Sequence, residues 1–215
     1  LSLPTASGGI MDGMFERPTV VQLKITIAEI DPPIWRRLLV ARTTTLGELH
    51  HMIQAAFGWL DCHLHQFEIG GLRFGDAYLL NAEAFEDEAL SLPEDEVRLL
   101  DFAHAAPPFV YLYDFGDDWR HRVEIETLLV REPGRKYPAC IDGARSRPPE
   151  DVGGVHGYAD FLDVLEDPTD PQHAALKQWA GRKFHPEAFD LNRTDRAVRS
   201  AVSTARRRAS TIRDH

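Results

Sequence analysis

Apolar residues alternate with polar ones near the start of the chain. Val21, Leu23, Ile25 and Ile27 are separated by Gln22, Lys24 and Thr26, and that period of two predicts a half-buried strand. Asp31-Pro32-Pro33 ends it, because proline has no amide hydrogen to give to a ladder. Residues 34–41, IWRRLLVA, predict a second strand. The period then changes. Leu46, Leu49, Met52, Ile53, Ala56 and Phe57 form a helical stripe, with Thr45 and Glu48 at capping-box spacing and Gly58 suited to the C-terminal end. A third strand is expected over residues 66–69. The order strand, strand, helix, strand is compatible with a grasp-like sheet.

Residues 75–100 are acidic and irregular, with a short helix expected near residues 94–100. The strongest β signal follows: FVYLYDF at 109–115 is apolar on both faces, as a central strand is. Residues 119–130 supply a second arm, and Gly116-Asp117-Asp118 a turn, so the two predict a hairpin. Residues 131–157 read as one long Pro/Gly-rich loop, a length that points to function or irregularity. Tyr158, Phe161, Leu162 and Leu165 mark a helix, a second is expected over about 171–180 and a third from about Thr194. The expected fold class is α+β: a mixed or antiparallel sheet with a strand-strand-helix-strand opening, a central β-hairpin and C-terminal helices. The expected organisation is a disordered lead-in at 1–17, one domain over 18–192 and a basic helix or tail over 193–215.

Composition narrows the class. No apolar run approaches the roughly 20 residues of a membrane span, so no membrane association is expected. Cys62 and Cys140 are too few for a disulfide scaffold and fit a reducing, cytoplasmic setting. Residues 1–17 lack the basic start and apolar centre of a secretory signal.

Charge is unevenly spread. Residues 193–215 hold seven arginines and two aspartates, a local +5, whereas the first 192 residues carry 17 basic and 32 acidic side chains, a net −15. Such a body repels nucleic acid, leaving the C-terminal arginines as the one route to it.

Three stretches carry candidate chemistry. In DCHLHQF (61–67), His63 and His65 are two apart, which on an extended chain puts both imidazoles on one face and Cys62 on the other. Neutral imidazoles could serve a metal. YDFGDDWRH (113–121) gathers Asp114, Asp117, Asp118 and His121 around one turn. Aspartate and glycine are what tight turns require, but alternation puts His121 among apolar residues, where it needs a partner. Its Asp-Phe-Gly triplet has no glycine-rich phosphate loop and no His-Arg-Asp sequence beside it, which excludes a kinase reading. The third stretch runs from Tyr137 through Cys140 to PPEDVGGVHGY (148–158). Its Glu150, Asp151 and His156 could act as ligands or as an acid-base pair. As a purely structural alternative, they could simply turn the chain and place negative charge before a helix.

PPIWRR (32–37), HLHQF (63–67), YDFGDDWRH and PPEDVGGVHGY together resemble the plasmid pRiA4b ORF-3-like family over residues 19–190. The resemblance implies an α+β fold and no established activity. Relatives include bacterial and archaeal proteins, some labelled as insertion-element passengers or resolvase-like. It also implies further cysteines between positions 140 and 152, where this chain has Arg147 and Val152; that departure weakens a thiolate zinc cluster. Serine-recombinase chemistry needs an activated serine within an arginine cluster. The serines here lie mainly in loops or termini of an acidic body, which argues against it.

The expected function is a cytoplasmic binding or interaction module, associated through the family resemblance with mobile genetic elements, with a polar pocket beside the hairpin. Its ligand-binding candidates are Asp114, Asp117, His121, Glu150, Asp151, His156 and Tyr158. The candidate metal ligands are His63, His65, His121 and Cys140, for a divalent ion such as zinc. The expected partner is a protein or small molecule. The alternatives are a metal-dependent ester or phosphoester hydrolase and a DNA-associated accessory protein using the arginine tail.

Overall fold

The computed structural model describes residues 17–81, 90–102, 107–181 and 183–213, with side chains up to residue 202. The expected lead-in, apart from Arg17, lies outside the described residues, as do the side chains of Arg206, Arg207, Arg208 and Arg213.

Alternation is realised as expected in β1 (Val20–Ile27), whose Val21, Leu23, Ile25 and Ile27 are almost wholly buried. It pairs antiparallel with β2 (Trp35–Ala41). Helix α1 (Leu46–Phe57) starts on the Thr45–Glu48 capping box and ends at left-handed Gly58. The strand after it is β3 (His65–Ile69). The hairpin arms are β6 (Phe109–Tyr113) and β7 (Trp119–Leu129), joined through Asp114–Asp118, a longer turn than the three residues expected. Asp114 and Asp118 both take positive φ, a conformation short polar side chains tolerate.

The sheet has eight strands in the order β5-β4-β3-β6-β7-β1-β2-β8. All neighbours are antiparallel except β4 (Leu72–Gly75) and β5 (Leu92–Pro93), so the sheet is mixed. The region expected to be irregular thus carries the short strand β5, a one-turn helix α2 (Ala77–Asn81), and 3-10 turns over Glu94–Glu96 and Leu99–Asp101, while β4, just before it, is unexpected. These pieces are too short for periodicity to register.

A second departure lies in the long loop. Residues 139–144 form β8 (Ala139–Ala144), an edge strand on β2. ACIDGA has no alternating pattern, and its pairing comes from the partner strand rather than from its own side chains.

Helices α3 (Gly154–Glu166), α4 (His173–Trp179) and α5 (Leu191–Arg213) follow. Helix α3 starts four residues before Tyr158, at Gly154. Helix α5 crosses the expected 192/193 boundary and packs against α1 and β8, with Val198 fully buried. Asp195 on α5 accepts a hydrogen bond from the Cys140 amide at 3.1 Å, tying the helix to the sheet edge. The buried Arg36 guanidinium ties β2 to its surroundings. It donates to the carbonyls of Ala56, Trp35, Ala144 and Arg145 and lies between the Phe57 and Phe189 rings. Burial lowers its pKa to about 10, so it stays charged.

Candidate functional site: two clusters flanking the segment after α1

Residues 59–64 connect α1 to β3 without regular structure, so their amides need other partners. Side chains from elsewhere supply them. Leu60 N donates to Glu150 Oε1 at 2.7 Å, Asp61 N to Gln54 Oε1 at 3.0 Å, and Cys62 N to the Tyr113 hydroxyl at 3.2 Å. Leu64 O accepts from Asp114 N at 2.9 Å. The segment is therefore held by α1, the β6 end of the hairpin and the 148–151 turn together.

On one side, His63 Nε2 faces three carboxylates: Asp151 Oδ1 at 3.3 Å, Asp114 Oδ2 at 3.5 Å and Glu150 Oε2 at 3.9 Å. Both His63 Nε2 and Glu150 Oε2 are buried atoms with no hydrogen-bond partner among the described residues. The Glu150 side chain is only 8% exposed, whereas that of Asp151 is 73% exposed, so the cluster has one dry end and one open end. Cys62 joins it: ligand atoms of Cys62, His63 and Glu150 lie within 4.8 Å of one another, as do those of His63, Asp114 and Asp151. Asp114 is fixed by its own turn, because its Oδ1 accepts from the amides of Gly116 and Asp117.

On the other side lies a closed network. Gln54 Nε2 donates to the Tyr111 hydroxyl at 2.9 Å, which leaves the phenolic hydrogen for His50 Nδ1 at 2.8 Å. The remaining His50 hydrogen, on Nε2, then goes to Asp61 Oδ1 at 2.8 Å. His65 stacks on His50 with ring centroids 3.5 Å apart and bonds Glu94 Oε2 at 2.8 Å. Burial lowers the His50 pKa to about 4, outweighing the bond to Asp61. Burial pushes Asp61 and Glu94 up, but the hydrogen bonds and charges of the neighbouring histidines leave both below the ordinary carboxylate range.

Asp114, Glu150 and Asp151 converge on His63, while other candidates go elsewhere. His63 and His65 part company, because residue 63 lies before the strand and the alternation starts only at 65. The expectation that Cys62 points away from His63 fails for the same reason: Asp61 takes positive φ, so the chain there is not extended.

His121 is a core residue, fully buried. Its Nε2 accepts from Trp59 Nε1 at 3.1 Å, and its Nδ1 hydrogen faces the carbonyls of Trp119 and Tyr111. With both nitrogens engaged it has no free electron pair for a metal. Cys140 is buried at the β8 edge, where burial pushes its thiol up to about 11. Tyr158 is buried with its ring stacked on Phe161, and its hydroxyl has no hydrogen-bond partner among the described residues.

Asp117 has a joining role: its Oδ2 accepts from Gly153 N at 3.1 Å, holding the start of α3 to the hairpin. Gly154 fits there because a Cβ would lie 2.6 Å from the Asp117 carbonyl oxygen, and its φ is positive. His156 is exposed on α3, with no hydrogen bond or ion pair among the described residues.

The polar members His50, Gln54, Asp61, Glu94, Tyr111 and Tyr113 escaped the sequence reading. One signal was available. His50 and Gln54, four residues apart, lie on the buried side of α1, where polar residues require partners.

An α+β domain with a mixed eight-stranded sheet, with a polar cluster gathered where the hairpin turn meets the 148–151 turn, is the class the geometry defines. The chain belongs to the plasmid pRiA4b ORF-3-like protein family, whose model matches residues 19–193. The uncharacterised protein y4hQ of Sinorhizobium fredii is 34% identical over 194 residues, covering 89% of this chain and 96% of the relative. A crystal structure of a protein of unknown function, MM3350 from Methanosarcina mazei Go1, is similar with a TM-score of 0.70 and 38% identity. It covers 80% of this chain and 96% of its own. None of these relatives carries a named activity. Among the described residues, no helix is long and apolar enough to cross a membrane.

Proposed function

We propose that the chain is a cytoplasmic binding module whose pocket holds a divalent transition metal at His63, Glu150 and Cys62, with Asp114 and Asp151 beside them on the other side of His63. One observation carries the reading. Two buried polar atoms, His63 Nε2 and Glu150 Oε2, face each other at 3.9 Å without hydrogen bonds, beside two more carboxylates. Buried polar groups left unpaired are costly, and a cation bridging them would remove the cost. Imidazole, carboxylate and thiol donors together favour zinc over magnesium or calcium, which prefer oxygen alone. The free thiols of Cys62 and Cys140 support the reducing setting.

Isothermal titration of the full chain with zinc tests the reading. The expected result is one site per chain, lost in His63→Ala and in Glu150→Gln. Cobalt substitution adds a thiolate-to-metal charge-transfer band that disappears in Cys62→Ser. Zinc uptake unchanged in both His63→Ala and Glu150→Gln would overturn the assignment.

One observation also favours a hydrolytic reading. Asp151 opens the cluster toward a groove, so a metal there would leave a position for water and for an ester or phosphoester oxygen. The DNA-associated reading finds less support, because Arg199 is already paired with Asp195.

A further inference from the structure

Glu150 and Asp151 also line a groove of about 770 Å³, within the roughly 300–1,000 Å³ range of small-molecule sites. Its walls come from the C-terminal end of α1, the 146–151 turn, the 179–190 stretch and the start of α5. Its chemistry differs from that of the acidic body around it.

Lys183 and Arg193 line the groove, and neither has a carboxylate partner among the described residues. Arg147 lines it as well, anchored on the Gly58 carbonyl and over the Trp59 ring. The carboxylates present are already committed. Glu150 and Asp151 face His63, with Glu150 Oε1 also accepting from Leu60 N, and Asp190 Oδ1 caps α5 by accepting from Arg193 N at 2.9 Å. The groove also exposes an aromatic surface: Trp179 is 50% exposed with its ring edge-on to Phe161, and Phe184 and Phe189 line the groove as well.

We infer that this groove seats a phosphorylated small molecule bearing a planar ring, of the nucleotide class, with its phosphate on Lys183 and Arg193 and its ring on Trp179. Unpaired ammonium and guanidinium groups match phosphate oxygens in charge and in hydrogen-bond geometry. An exposed indole face offers stacking to a flat ring. A net charge of −15 over the first 192 residues disfavours a long polyanion, which needs many neutralising contacts. The inference goes beyond the proposed metal and does not depend on it: the ring and cation contacts stand without it.

Adenosine 5′-monophosphate is the probe, followed by tryptophan fluorescence and calorimetry on the full chain with and without zinc. AMP is expected to bind the zinc-loaded chain at least about tenfold more tightly than inorganic phosphate or adenosine alone. The double variant Lys183→Ala/Arg193→Ala changes only exposed side chains, and should weaken AMP about tenfold or more while leaving zinc affinity unchanged. Trp179→Ala should remove the fluorescence response and weaken AMP without changing the affinity for phosphate.

A zinc-loaded chain that ignores AMP overturns the inference and leaves the metal reading standing. AMP binding that is indifferent to the double variant also overturns it, as does a single-stranded oligonucleotide bound more tightly than AMP. A chain that takes up no zinc yet binds AMP through Lys183 and Arg193 supports the groove and overturns the metal reading alone.

Discussion

The histidines at 63 and 65 are separated by one residue and sit in opposite kinds of surroundings. His65 belongs to a network in which each described hydrogen bond has both ends: Gln54 to Tyr111, Tyr111 to His50, His50 to Asp61, and His65 to Glu94. His63 faces three carboxylates and makes no hydrogen bond with any of them. Both clusters set imidazole against carboxylate, so residue type does not separate them. Satisfaction does. A closed network stabilises its own loop and gives a ligand no reason to enter. A cluster with buried atoms left over is unfavourable alone and gains when something bridges it.

The largest effect expected from breaking the contrast is on stability. His50→Ala strips the Tyr111 hydroxyl of its acceptor, Asp61 of one donor and His65 of its stacking partner. It should cost about 2–4 kcal/mol in denaturant unfolding, while zinc affinity of the folded protein stays unchanged. A loss below about 1 kcal/mol would mean that the network does not hold the segment.

Acid should act next, and again on the closed side. The pKa of both His50 and His121 is lowered to about 4, chiefly by burial. The unfolded chain therefore binds protons that the native chain refuses as the pH falls from the ordinary histidine value, about 6.5, toward about 4. The stability each neutral histidine contributes is complete above that window and is lost on descending through it. Asp61 and Glu94, depressed below the ordinary carboxylate range, add their losses at lower pH still. His121→Gln should flatten the upper part of the curve; a stability profile level between pH 6.5 and 4 would contradict the burial argument.

On the open side the signs reverse. His63→Ala should leave stability within about 1 kcal/mol of the parent chain yet weaken zinc roughly 100-fold or more, as calorimetry would show. The smallest effect belongs to Asp151→Asn. With its side chain largely in solvent, it should weaken zinc about tenfold and leave the unfolding midpoint unmoved. If Asp151→Asn lowered stability as much as His50→Ala, the division between closed and open clusters would fail.

His121 sharpens the same lesson inside the core. Alternation along β7 placed it on the apolar face and so demanded a partner, but gave no hint which. The partner is the indole N–H of Trp59, 62 positions away in the chain. His121→Ala would therefore cost stability by orphaning that N–H, rather than ligand binding by emptying the pocket.

Much of the scaffold was written in local pattern. The alternation of β1, the capping box and apolar stripe of α1, and the apolar run of β6 each follow from neighbouring residues, because strand and helix periods are local properties. Turn chemistry announced the hairpin, and PPEDVGGVHGY marked where Glu150 and Asp151 stand. What the chain alone left open depends on partners distant in sequence. Strand β8 exists because β2 offers it an edge, and α5 is docked because Val198 finds the core and Asp195 finds the Cys140 amide. The site was half visible in the same sense. The sequence named His63, Asp114, Glu150 and Asp151 among its candidates, but only the packed chain decided that these four meet while His65, His121, Cys140 and Tyr158 do not. Residue type gives a side chain its chemistry; tertiary contacts decide whether its hydrogen-bonding groups are already used.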